Sequence, residues 1–104
     1  MNTIIVLTET PVWHQGYIKH HLRNPGINMT GSFKGNRLVV NDIYEILFIN
    51  PVGIYSDDEF FANCILDLTD GKCSDAVNTF IEQRIHCNYF LFTEIDELIR
   101  LLRG

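Results

Sequence analysis

The sequence predicts an α/β fold: a small, mostly parallel sheet with helices on both faces and an added β-hairpin. Three observations carry that expectation. Short apolar runs at 4–8, 64–68 and 88–92 have the composition of strands buried on both faces. They alternate with segments of helical period at 11–23, 75–84 and 94–103. Two further β-prone stretches, 37–40 and 43–49, are separated only by Asn41 and Asp42. Both residue types tolerate positive φ, so the pair predicts a tight hairpin extending one sheet edge.

Taken in order, Ile4, Ile5, Val6 and Leu7 form the first strand, ending at Thr8. Thr10 and Pro11 then read as N-cap and first helical position, where the missing proline N–H costs nothing. Pro25 disfavours helical geometry at Asn24 and stops this helix near Arg23. Val12, Trp13, Tyr17, Ile18 and Leu22 are its expected inward residues; His14, Lys19, His20 and Arg23 are expected in solvent. A short strand at 27–30 leads into a turn-rich stretch, 31–36. Ser56 with Glu59 is a capping-box pattern and predicts a short helix through Phe60 and Phe61.

The apolar run Cys64, Ile65, Leu66, Asp67, Leu68 ends in Thr69, Asp70 and Gly71, as a buried parallel strand meeting an acidic turn would. Ser74 is the expected cap of a helix over 75–84, with Val77, Phe80 and Ile81 inward. Thr93 is the expected cap of the last helix, with Ile95, Leu98, Ile99 and Leu102 inward. Its acids come early and its arginines late, as the helix dipole favours. Right-handed crossovers make the long apolar strands parallel neighbours. The expected result is one domain, 1–104, with a three-layer Rossmann-like or P-loop-like sheet.

Composition narrows the function classes. At 104 residues the chain supports a single core. No apolar run reaches the roughly 20 residues of a membrane-spanning helix. The first residues lack a basic n-region and cleavage site, and read as a strand of a cytoplasmic protein. Three cysteines without a Cys-x-x-Cys pair fit a reducing compartment, with Cys64 and Cys87 as small core residues. The net charge of −5 hides an asymmetry: residues 1–52 carry four Lys/Arg against three acids, and residues 53–104 four against ten. Such a split allows an anionic partner on one side and a basic partner on the other.

The candidate sites follow from the predicted sheet. Its carboxyl edge collects Thr8, Glu9, Thr10, Asp67, Thr69, Asp70, Thr93 and Glu94. Asp67 and Asp70 are the candidate metal or catalytic acids, because Mg²⁺ takes carboxylate oxygens and water. Capping and turn roles account equally for these residues. His20 and His21 point about 100° apart on a helix and do not favour chelation of one ion. His86 and Cys87 would face opposite sides of a strand, which disfavours a nucleophile–base pair. The glycine-rich 31–35 matches neither phosphate-binding spacing. Phe33, Lys34 and Arg37 could offer stacking and charge to a nucleic acid, with Trp13 as a further aromatic.

The order of elements resembles part of the ATPase core of phage terminases and superfamily helicases. There a strand ending in threonine leads into a helix, as 4–8 and 10–23 do here. Later comes a strand like Ile65, Leu66, Asp67 and Leu68, whose end carries an acidic pair. The resemblance implies that Asp67 is a remnant of a magnesium-binding acid. Leu68 stands where the water-polarising glutamate would be, and no phosphate-cradling loop is present. It therefore implies a degenerate lobe without ATPase activity. The expected function is that of a small non-enzymatic interaction protein, a phage or mobile-element accessory without cofactor. It would dock on a larger nucleic-acid-processing protein through an acidic face at Asp57, Asp58 and Glu59, and a homodimer by sheet extension is also permitted. The alternative is a Mg²⁺-dependent phosphoryl or phosphodiester hydrolase at Asp67 and Asp70.

Overall fold

A computed structural model describes residues 2–23, 26–31, 36–51, 60–69, 74–87, 91–92 and 94–103. The chain is mixed α/β. Its main sheet has six strands: β1 (Asn2–Leu7), β2 (Met29–Gly31), β3 (Arg37–Val40), β4 (Tyr44–Ile49), β6 (Cys64–Asp67) and β8 (Leu91–Phe92). Their spatial order is β2-β3-β4-β1-β6-β8. Two further strands, β5 (Phe60–Ala62) and β7 (Ile85–Cys87), pair in parallel as a separate small sheet. The helices are α1 (Pro11–His21), α2 (Ser74–Arg84) and α3 (Ile95–Arg103).

The main sheet is mixed, not purely parallel. β4, β1, β6 and β8 run parallel, whereas β3 is antiparallel to both β2 and β4. β1 lies at the centre, with Ile4, Ile5, Val6 and Leu7 fully buried. Its alternation splits the core. Ile4 and Val6 join Ile18, Leu22, Leu98 and Leu102 beneath α1 and α3, while Ile5 and Leu7 join Ile65, Phe80 and Ile85 beneath α2 and β7. Both faces are therefore covered, which is why this strand is apolar without a break from Ile4 to Leu7.

The hairpin between β3 and β4 forms where expected. Asn41 and Asp42 both have φ of 54°, and Ile43 N–H donates to the Val40 carbonyl at 3.1 Å. Asn41 is also tied outward: its Oδ1 accepts from Asn28 N–H at 2.8 Å, and its N–H donates to the Asn28 carbonyl at 2.7 Å.

Several expectations change. Phe60 and Phe61 lie in β5, not in a helix; Ser56 to Glu59 lie outside the described residues. β7 directly abuts the end of α2, a strand the helical period of 75–84 did not foreshadow. In α1 Gln15 and Ile18 are buried, with Leu22 just past its end, and Tyr17 is half-buried against the same core, while Val12 and Trp13 are 68% and 61% exposed. The Cys87 side chain lies outside what is described, and Cys64 is half-buried against the first core cluster. Among the described residues, no helix is long and apolar enough to cross a membrane.

The turn yields a stability prediction. Asp42 is exposed and holds a left-handed backbone that glycine adopts without penalty. Asp42→Gly should raise the melting temperature by a few degrees, and Asp42→Val should lower it by about 4–8 °C, the effect of ~1 kcal/mol in a domain of this size. Thermal unfolding followed by circular dichroism checks both signs.

Candidate functional site

β1 and β6 are neighbours, and their register brings Leu7 opposite Asp67. The helices that follow them pack on opposite faces of the sheet: α1 over the Ile4 and Val6 side, α2 over the Ile5 and Leu7 side. This is the topological position at which open α/β sheets bind ligands. Leu68 N–H donates to the Leu7 carbonyl at 2.9 Å, and Thr8 N–H to the Ile49 carbonyl at 2.9 Å, so three strand ends are held together.

On the β1 side, Thr8 is fully buried and makes a polar clasp. Its Oγ1 accepts from Thr10 N–H at 3.0 Å and shares a 2.6 Å hydrogen bond with His14 Nδ1. Thr10 forms no side-chain cap; its Oγ1 stands 3.4 Å from the same His14 nitrogen. His14, expected in solvent, is half-buried against this clasp. A threonine beside a histidine has the ingredients of an activated nucleophile. With no exposed surface, however, the Thr8 hydroxyl offers nothing to a substrate. Its geometry serves to lock the start of α1 onto the end of β1.

On the β6 side, Asp67 Oδ1 accepts twice from Thr69, from N–H at 2.9 Å and from Oγ1 at 2.6 Å. Asp67 is half-buried and Thr69 buried. One carboxylate oxygen is thus occupied in shaping the turn. Asp70, its expected partner in metal binding, and Thr93 lie outside the described residues. Among the described residues no three His, Cys, Asp or Glu side chains converge as a metal site.

The remaining expectations separate. Phe33 and Lys34, like Asp57, Asp58 and Glu59, lie outside the described residues. Arg37, the third candidate nucleic-acid contact, is engaged with Glu45 on the neighbouring strand, Nε at 2.7 Å and Nη2 at 2.6 Å from Oε2. Trp13 stacks on Tyr17 at 5.4 Å, and Tyr17, half-buried against the first core cluster as expected, meets His21 at 4.3 Å. The sequence pattern missed the exposure of Trp13 because Gln15 holds a position on the inward stripe that apolar periodicity passes over.

Charge on the helices is sorted along the strand axis, Glu82 in the last turn of α2 excepted. α1, α2 and α3 follow the parallel strands β1, β6 and β8 and so begin at the carboxyl edge of the sheet. Glu9, Asp67, Asp75, Glu94, Asp96 and Glu97 stand at or beside that edge. Lys19, Arg23, Arg84, Arg100 and Arg103 stand at the last turns or just beyond them. No family model matches the chain, and neither curated proteins nor solved structures supply a match.

Thr8→Val keeps the shape of the clasp but removes the acceptor of Thr10 N–H and the 2.6 Å hydrogen bond with His14. It should destabilise the fold by about 1 kcal/mol, the net contribution of hydrogen bonds of this kind. Urea titration would read this as a lower midpoint with an unchanged slope.

Proposed function

We propose that this chain is a small non-enzymatic interaction protein that docks on a larger, nucleic-acid-processing protein through its acidic edge. The carrying observation is the gathering of Glu9, Asp75, Glu94, Asp96 and Glu97 at the sheet's carboxyl edge, with Asp75, Glu94 and Asp96 exposed. A single-sign edge of this kind attracts a basic partner and speeds encounter with it. Asp57, Asp58 and Glu59 add to the acidic half of the sequence. The scaffold in this reading is a three-layer Rossmann-like or P-loop-like domain, kept as a docking platform in a cytoplasmic phage or mobile-element accessory protein.

Affinity capture of the tagged chain from its host at moderate salt tests the proposal. One dominant, near-stoichiometric partner is expected. It should be lost with Asp57→Lys, Asp58→Lys and Glu59→Lys together, or with Glu94→Lys and Asp96→Lys. Retention of that partner by both variants would overturn the acidic-edge assignment.

A second reading, a Mg²⁺-dependent phosphoryl or phosphodiester hydrolase, draws on the position of Asp67 where α1 and α2 leave on opposite faces. Asp67 and Asp70 would hold the ion, which would neutralise phosphate charge and activate water. It requires that Mg²⁺ raise the melting temperature and that Asp67→Asn abolish the rise. The docking proposal expects no metal-dependent shift.

A further inference from the structure

The outer face of α1 combines three features that core packing leaves unexplained. Trp13 is 61% exposed although it is the chain's single tryptophan, and Val12 beside it is 68% exposed. Trp13, Tyr17 and His21 form a continuous row of rings, with Trp13 and Tyr17 nearly parallel at 22° and His20 set edge-on to His21. In the midst of them is Gly16, three residues after Trp13 and four before His20, exposed and with nothing within 4 Å of where a Cβ would stand. Glycine inside a helix is strongly disfavoured relative to alanine. No described neighbour lies close enough to require it. What Gly16 leaves is open space on the helix surface one turn from Trp13, where another molecule can approach the backbone.

Within α1 and its C-terminal extension the formal charges have one sign. From Thr10 to Arg23 there is no carboxylate, while Lys19, His20, His21 and Arg23 follow one another toward the helix end. Arg103 joins them from α3, its Nη2 donating to the His21 carbonyl at 2.9 Å. Lys19 reaches over Gly31, and Arg23 and Arg103 stand at the His21 end of α1. From Trp13 to His21 is about 12 Å of helix. Flat rings at one end and cations at the other suit a ligand that carries planar groups and anions in alternation.

We propose that this face binds single-stranded nucleic acid. A base enters the open space at Gly16 against Trp13, and the following phosphates run toward Arg23 and Arg103. Base–aromatic stacking with a flanking basic track is the general physics of sequence-tolerant single-strand binding. An acidic polypeptide would satisfy the cations but has no planar group at each residue to match the ring row. The cations of this face lie at the opposite end of α1 from the acidic edge, although Trp13 itself stands in the first turn.

The test uses the full chain and a short oligothymidylate. Trp13 being the single tryptophan, its fluorescence reports on this face alone. Saturable quenching is expected, with a log–log salt slope of about −2 for two to three neutralised phosphates. Gly16→Gln is the decisive variant. A good helix former there should raise the melting temperature by roughly 3–6 °C while weakening binding of a labelled oligothymidylate about tenfold. Arg23→Glu should weaken it similarly with the fold intact. The proposal is overturned by an absence of quenching at about 50 mM salt, or by Gly16→Gln binding at full strength. Equal binding of the corresponding duplex would also overturn it. Equal quenching by polyglutamate would do so too, and would assign the face to an acidic protein.

Discussion

Everything in this molecule is placed by reference to β1. Its four central residues are fully buried, with a parallel partner on each side, β4 and β6. Burying side chains of this kind contributes about 1.5–3 kcal/mol each. Four of them together rival the ~5–15 kcal/mol net stability of a whole domain. The alternation of Ile4 and Val6 with Ile5 and Leu7 assigns each helix to its side of the sheet. A register slip of one residue would exchange the two sets and undo both cores. The amino end is pinned as well, since Thr3 and Asn63 exchange two hydrogen bonds, N–H to Oδ1 at 2.9 Å and carbonyl to N–H at 2.7 Å.

From that strand the charge pattern follows. Each helix that succeeds a parallel strand must start at the carboxyl edge and end at the opposite edge. Acids stabilise helix starts and bases stabilise helix ends. Asp96 and Glu97 opening α3, with Arg100 and Arg103 closing it, follow this rule. Asp75 and Arg84 do the same for α2, and Lys19, His20 and His21 end α1. Summed over three helices, a local preference becomes a polarised molecule. The same arrangement that steadies the helices gathers most helix-borne acids toward one edge of the sheet and most helix-borne bases toward the other.

The parts of the fold legible in the sequence are those where one local signal decides the outcome. β1 and β6 read from unbroken apolar runs, α3 from Leu98, Ile99 and Leu102 on one face, and the hairpin from Asn41 and Asp42. The short strand at Phe60 was hidden because a capping pattern at Ser56 pointed to a helix, while its pairing with Ile85 is made 25 residues away. At the strand ends, Thr8, Asp67 and Thr69 could be gathered from topology. The 2.6 Å contact that brings His14 into the clasp could not, since it depends on how α1 is rotated over the sheet.

That rotation is the informative failure. Apolar spacing would turn Val12 and Trp13 inward, yet the helix buries Gln15 and exposes both. Gln15 Nε2 donates to the Arg37 carbonyl at 3.4 Å, and its Oε1 has no hydrogen-bond partner among the described residues. Gly31 admits the ends of Gln15 and Lys19 where a Cβ would collide with them. So α1 carries a polar residue in its core stripe, a tryptophan on its outside, and a glycine in its exposed face. α3, under the same part of the sheet, breaks none of these rules. Local rules are broken chiefly where a surface has another use. The helix that departs from the pattern is therefore the element on which the proposed binding is placed.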